Sequence, residues 1–317
     1  MATTDTSPGI TGPVQWYGGK GLMAERLLPL LPPAKVYVEA YGGAASLMVR
    51  RPPAPVEAYN DLNGDLVNLF RALQSPRRFR VLKRRLLFTP YSRQEFAEAL
   101  RVLAEEKDPN ERAWAFFTAQ NQGFSGTAKS VGNWSRVFVS CRGMAKSASR
   151  WLGRLGYLDA WHRRFMRVQI DQRDALDVLR YWDSPETLFY LDPPYMAQSR
   201  AKGNTNMYAH EADDAHHAAL LDLLPSLQGA VVLSGYDAPI YRQLDDAGWE
   251  RREFKTACHA AGRTRNSGLQ GAGSALALVP RTEVVWRNQH CLEMERRALP
   301  QLELWNGNPT PEGNGRD

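Results

Sequence analysis

Apolar positions along this chain follow two rhythms, and the switches between them predict its elements. Short continuous apolar runs at Val36–Val38, Leu188–Leu191 and Ala230–Ser234 predict strands buried on both faces of a parallel sheet. Further strand material is predicted at Val56–Asp61, Val168–Ile170, Trp249–Lys255, Ala275–Val279 and Glu283–Trp286. Glu57 sits awkwardly inside its strand unless that strand lies at a sheet edge. Between the strands the period lengthens. Leu62, Leu66, Leu69, Phe70 and Leu73 share one face of a helix over Leu62–Leu73, with Asp61 or Asn60 as its cap. Phe96, Leu100 and Leu103 face inward from a helix over Tyr91–Glu106, and Glu111–Ala119 is apolar enough to be a buried helix. Trp151–Phe165, Ala175–Trp182, Asp214–Leu224 and Tyr241–Gly248 read as further helices. A β-branched strand, a glycine turn and a helix start over Val36–Val49 make the first half of a Rossmann-type unit, so the fold class is α/β.

The pattern also divides the chain. Residues 1–13 are small and polar and are expected to be a disordered leader. An α/β domain takes residues 14–75 and 160–290, interrupted by a mostly helical insertion over 76–159; residues 291–317 are polar, with proline and glycine, and are expected to be a flexible tail.

Chemistry concentrates at the end of the apolar strand TLFYLDPPY, Thr187–Tyr195. Two prolines stop the strand and stiffen the backbone beyond it. The Asp192 carboxylate and the Pro193 carbonyl are then two acceptors, and Tyr195 is a flat face for stacking, a set that suits a planar ligand with an exocyclic amine. A strand-terminating turn with an acidic cap is the plainer alternative. Two glycine turns add to the picture. Trp16-Tyr17-Gly18-Gly19-Lys20 precedes a helix whose N-terminus, with Lys20, favours an anionic group such as a carboxylate, or is a plain turn with a surface lysine. Val38-Glu39-Ala40-Tyr41-Gly42-Gly43 leads out of the first strand, and Asp61 ends the second, where an acid is placed to bond ribose hydroxyls. Asp174 reads as a helix N-cap that also lies where a third strand end would meet a cofactor base.

Composition changes this picture only slightly. With 317 residues and a formal charge of +6, the chain can bury a full core and leans toward a polyanionic partner. Basic Arg77–Leu86 reads first as a solvated helix face. Inside the insertion, Phe124, Ser125, Asn133, Trp134, Arg136 and Arg142 combine amides, arginines and aromatics in the manner of a surface that reads and wedges bases; Arg263 and Arg265 in a late glycine-rich loop are placed to track phosphates. The first stretch reads equally as an ordinary loop-rich connection, and the plainer reading of the second is simple disorder. Cys141, Cys258 and Cys291 lack metal or disulfide spacing, which fits a reducing cytoplasm, and no run approaches membrane-spanning length. His216-His217 are too close together to make a metal site and read as helix-surface residues.

Taken in order, WYGGK at Trp16–Lys20, VEAYGGAAS at Val38–Ser46, YNDLNGDL at Tyr59–Leu66, DPPY at Asp192–Tyr195 and RTEVVWRN at Arg281–Asn288 resemble the Dam-like adenine-N6 DNA methyltransferases, phage-borne members included. The resemblance implies a class I (Rossmann-like) S-adenosylmethionine-dependent methyltransferase sheet with an inserted target recognition domain. It implies S-adenosylmethionine at Trp16, Tyr17, Gly18, Lys20, Glu39, Tyr41, Gly43, Asp61, Asp174 and Asp192, and catalysis at Asp192, Pro193, Pro194 and Tyr195 on a flipped-out adenine, without a metal. Double-stranded DNA would be the partner of a monomer or weak dimer in the cytoplasm of a bacterial or phage-infected host cell. Tyr41 and Ala45 depart from the family turn, where Phe and a glycine are usual; the extra methyl of Ala45 would tighten the cofactor pocket. Transfer to cytosine N4 or RNA adenine, and an inactive methyltransferase fold that only binds DNA, are the competing readings.

Overall fold

The computed structural model describes residues 10–16, 18–124, 130–194, 214–257 and 280–305. Its main sheet contains β1 (Val36–Glu39), β2 (Val56–Asn60), β5 (Gln169–Asp171), β6 (Thr187–Leu191), β7 (Ala230–Tyr236), β8 (Glu250–Ala257) and β9 (Pro280–Arg287); β3 (Ser140–Cys141) and β4 (Met144–Ala145) form a separate hairpin. The order across the sheet is β5-β2-β1-β6-β7-β9-β8, parallel from β5 through β7, with β9 antiparallel to both its neighbours. This mixed α/β arrangement is the Rossmann-like sheet that the strand pattern predicts.

Alternation within the strands sends side chains into two cores. Val38, Ala58, Phe189, Leu191, Val231 and Leu233 face a cluster completed by α8 (Ala175–Trp182), α9 (Asp214–Leu223) and α10 (Arg242–Asp246). Tyr37, Tyr59, Leu188, Tyr190 and Val232 face the other cluster. That second core continues through α2 (Gly64–Gln74), α3 (Pro76–Leu87), α4 (Arg93–Glu105), α5 (Pro109–Gln122), α6 (Lys146–Leu155) and α7 (Leu158–Phe165). The helical insertion therefore packs as an extension of one sheet face. At its centre, α5 is buried on every side from Ala113 to Ala119, Trp114 and Phe117 included.

Several elements differ from the sequence pattern for identifiable reasons. Helix α2 starts at Gly64 because Asn63 accepts from Leu66 N–H at 3.0 Å and caps it, while Asp61 is bonded elsewhere and Leu62 is exposed. The stretch 151–165 divides into α6 and α7 at Gly156, a poor residue for a helix interior. The glycine turn after β1 leads into a series of tight turns over 41–50, with no regular helix. Ala45 there has φ 52° and is fully buried, its methyl packed in the core. Both expected loose ends are in part ordered. Thr11 O accepts from the Trp161 indole at 2.8 Å, Gly12 O from Arg154 at 2.7 Å and Pro13 O from Asn121 at 3.0 Å, which pins residues 10–13 to the insertion. Helix α11 (Gln289–Trp305) replaces the start of the expected tail, opened by Asn288, whose Oδ1 accepts from Cys291 N–H and whose amide bonds Gly229 O.

Glu57 does not lie at an edge, since β2 is flanked by β1 and β5. It is tolerated because Arg164 of α7 forks onto both its oxygens, one bond at 2.7 Å, while also donating to Met48 O at 2.7 Å. Glu57 is buried and Arg164 nearly so. Removing one partner from such a pair strands a charge. Arg164→Met should cost about 3–5 kcal/mol in urea unfolding, and adding Glu57→Gln to that background should restore a substantial part.

Candidate active site

Strand order reverses between β1 and β6, so the chain leaving these two neighbours opens a crevice at their carboxyl ends, where open α/β sheets place ligands. β1 delivers the turn at Gly42-Gly43, and β6 delivers Asp192. Behind Asp192 stands a buried charge cluster. Lys20, held in a short 3-10 turn over Lys20–Leu22 ahead of α1 (Ala24–Leu27), places Nζ 2.6 Å from Asp192 Oδ1 and 3.3 Å from Glu283 Oε1 on β9. Ser234 Oγ on β7 donates to Glu283 Oε1 at 2.7 Å. Burial disfavours the Lys20 charge, but Asp192 and Glu283 together outweigh it and hold the ammonium well above its usual pKa. Asp192 responds the other way. Burial pushes its carboxyl up to about 6 against the pull of Lys20, and Glu283 adds to the rise.

The glycine turn is pinned on both sides of one residue. Gly43 N–H donates to Asp61 Oδ2 at 2.9 Å, and Gly43 O accepts from Tyr59 hydroxyl at 2.7 Å. A Cβ at Gly42 would lie 2.1 Å from the Tyr59 ring, and one at Gly43, whose φ is 48°, would lie 3.0 Å from the Trp16 indole. Close approach of backbone and rings is what demands glycine here. Asp61 Oδ1 also accepts from Asn63 N–H at 2.8 Å, so the half-exposed carboxylate bridges the glycine turn and the chain entering α2.

The remaining predicted positions fall in several places. Gly18, with φ 74°, turns the chain beneath Lys20, and Trp16 is half-buried against Phe116. Asp174 caps α8 by accepting from Leu176 N–H at 2.8 Å, exposed after the end of β5. Tyr41 is half-buried with its hydroxyl 2.7 Å from His216 Nε2. Glu39 lies beneath the turn, not on its open side: it is buried, accepts from Tyr37 hydroxyl at 2.8 Å and takes a backbone bond from Met48. Burial pushes it up to about 7 despite those bonds. Pro193 is buried and Pro194 half-buried. Tyr17, Ser125, Tyr195, Arg263 and Arg265 lie outside the described residues.

Tyr59, Glu283 and both α9 histidines join this neighbourhood without having been expected there. His217, read as a surface residue, is buried; its Nε2 is 2.9 Å from Pro194 O and its Nδ1 2.8 Å from Tyr241 hydroxyl. The only signal in the sequence is that two adjacent histidines in the first turn of the helix run directly into the apolar stretch Ala218–Leu221.

On the insertion, β3 and β4 form a tight hairpin whose tip residues Arg142 and Gly143 have φ 55° and 73°, the twist that suits a two-residue loop. Arg142 and Arg136 are exposed, Arg136 lying 5.2 Å from the centre of the exposed Phe138 ring. Phe124 is exposed as well. Trp134 differs from the expectation of a wedge: it is half-buried against Tyr91, with Arg93 over its ring, because its β-bridge to Gly123 draws it inward. Asn133 shares a 2.8 Å bond with Ser130 Oγ. Among the described residues no His, Cys, Asp and Glu cluster has metal-ligand grouping, and no helix is long and apolar enough to cross a membrane.

Comparison with known proteins bears directly on this geometry. Residues 16–257 match the family model of the D12 class N6 adenine-specific DNA methyltransferases. The chain is also 24% identical over 235 residues to the DNA N-6-adenine-methyltransferase of Escherichia phage P1. That alignment covers 73% of this chain and 30% of the phage protein, so the chain spans about a third of that relative's length.

Glu39 makes the pH dependence of stability testable independently of function. Its folded pKa is raised, so its contribution is fully present below the unfolded value of 4.5 and is lost as pH rises through about 7. Between pH 4.5 and 8 the wild type should lose up to about 3 kcal/mol relative to Glu39→Gln in paired urea titrations.

Proposed function

The chain belongs to the D12 class of N6 adenine-specific DNA methyltransferases, and on that premise we propose that it transfers a methyl group from S-adenosylmethionine to the N6 amine of adenine at a specific site in double-stranded DNA. The observation that carries this reading is Asp192, ion-paired through Oδ1 to buried Lys20 at the carboxyl end of β6, beside the pinned glycine turn of β1. The residues around that turn suit the cofactor: an acid, Asp61, ends β2 where ribose hydroxyls would be bonded, and the rings of Trp16 and Tyr41 stand at the turn. When bound, the cofactor supplies an electrophilic methyl group on a sulfonium.

The protein's own groups do the rest. An adenine amine is a weak nucleophile because its lone pair is delocalised into the ring. In the proposed mechanism Lys20 fixes the plane of the Asp192 carboxylate by holding Oδ1, and Oδ2 accepts one amine N–H. The Pro193 carbonyl accepts the other. These bonds draw the nitrogen toward tetrahedral geometry, and Tyr195 stacks on the base after it has left the duplex. Glu283, by competing for the Lys20 charge, keeps the Asp192 carboxylate more basic and so a stronger acceptor. No covalent bond to the protein is required.

Helices α3 to α7 with the β3–β4 hairpin form the proposed recognition unit, where Phe124, Ser125, Asn133, Arg136 and Arg142 face the DNA and Trp134 supports them from within; Arg263 and Arg265 contact phosphates. The protein acts as a monomer or weak dimer in the cytoplasm of a bacterial or phage-infected cell.

Asp192→Ala should lower methyl transfer by on the order of 10³-fold while cofactor affinity by calorimetry changes little. Digestion of the product to nucleosides must yield N6-methyladenine; N4-methylcytosine would move the assignment to the other amine. Because Asp192 must be ionised to accept, the rate should fall as pH is lowered through about 6. A rate that stays flat from pH 8 to pH 5 would remove Asp192 from the role of charged acceptor.

A further inference from the structure

We propose that the adjacent histidines of α9 are positioning residues for the two sides of the transfer site, His217 for the strand end at Pro194 and His216 for the turn at Tyr41. The inference rests on the methyltransfer reading above and adds to it the means by which the rigid edge is held.

Two consecutive prolines have no N–H to offer, so once β6 ends at Leu191 the peptide ladder cannot fasten Pro193 and Pro194 as donors. Their carbonyls need partners from outside the strand. His217 Nε2 lies 2.9 Å from Pro194 O, and a carbonyl can only accept, so Nε2 carries the proton. In the neutral ring Nδ1 is then the acceptor for Tyr241 hydroxyl at 2.8 Å. Burial pushes the Tyr241 phenol upward, which keeps that donor protonated.

The imidazole stands on a stiff base. His217 is 1% exposed, Tyr241 packs on Trp286 with ring centres 5.0 Å apart, and the Trp286 indole donates to Asp245 Oδ1 at 2.8 Å. Proline fixes φ at Pro194, which leaves ψ as the one soft dihedral between its carbonyl and the preceding Pro193 carbonyl, so holding the first restrains the second. That preceding carbonyl is the proposed acceptor for the amine. One residue earlier on the same helix, His216 Nε2 lies 2.7 Å from Tyr41 hydroxyl, with the rings edge to face at 5.8 Å. Helix α9 thus reaches both neighbouring strand ends, one histidine to each.

The two roles predict different kinetic signatures. In steady-state methyl transfer by the full chain to DNA, with S-adenosylmethionine varied, His217→Ala should lower kcat by on the order of 10²-fold with little change in cofactor KM. His217→Gln, whose amide can carry an N–H to the Nε2 position, should recover about tenfold of that loss, a rescue that a merely structural role would not give. His216→Ala should raise cofactor KM more than it lowers kcat. Thermal melts identify which variants are folded at the assay temperature. A folded His217→Ala with kcat within about threefold of wild type, or a folded His217→Gln no faster than the alanine variant, would overturn the inference. A wild type that methylates no DNA would instead bring down the functional reading and, with it, this role; an active wild type indifferent to His217 would bring down this role alone.

Discussion

Much of this molecule hangs on one buried cation. Lys20 sits near the start of the described chain, yet its ammonium joins Asp192 at the end of the central strand and Glu283 on β9. Burying two carboxylates near each other would drive at least one toward its neutral form. With Lys20 between them, the pair persists, and Asp192 stays an acceptor at neutral pH although burial raises its carboxyl to about 6. The same contact ties an N-terminal turn, a parallel strand and an antiparallel strand at one point. The proposed amine acceptor is thus also a position that joins three separate segments of the chain.

A second buried cation performs a parallel task between insertion and sheet. Arg164 on α7 satisfies Glu57 in the interior of β2 and at the same time holds Met48 O in the turns beyond Gly43. The helices inserted between β2 and β5 and the glycine turn after β1 are therefore not independent bodies joined by linkers. They share an apolar core and one charge-assisted fork. In both clusters the physical constraint is the same: a charge removed from water must have its partner in place, so its neighbours are fixed in position.

Local chemistry made part of the site legible. Asp192-Pro193-Pro194 and the glycines at 42–43 announce themselves because prolines end a strand and glycines permit close approach wherever they occur. The capping role of Asp174 was legible from its place ahead of α8; the bond that ties Asp61 to Gly43 was not, since it joins the ends of two strands. Tyr59 and Glu283 were not, because strand alternation says only that such residues are buried, not which loop or lysine they meet there. His217 was misread for the same reason. Its helix carries apolar and polar residues on overlapping faces, so periodicity alone could not assign the imidazole to the inside. The end of the leader misled differently: short polar stretches read as disordered unless partners exist, and Trp161, Arg154 and Asn121 provide partners for residues 11–13 from more than a hundred residues away.

What the sequence by itself determined is the set of elements and the acceptors they carry: strands from apolar runs, a strand end rich in proline and acid, bare glycine turns. These arise from steric and hydrogen-bonding properties of residues close together in the chain. Only the tertiary structure decided which of them meet. The order β5-β2-β1-β6-β7-β9-β8 places the ends of β1 and β6 side by side, brings Lys20 between Asp192 and Glu283, and turns the histidines of α9 toward Tyr41 and Pro194. Such meetings depend on how the sheet is threaded and on the pairing that buried charges and buried polar groups require, neither of which is a property of any local stretch.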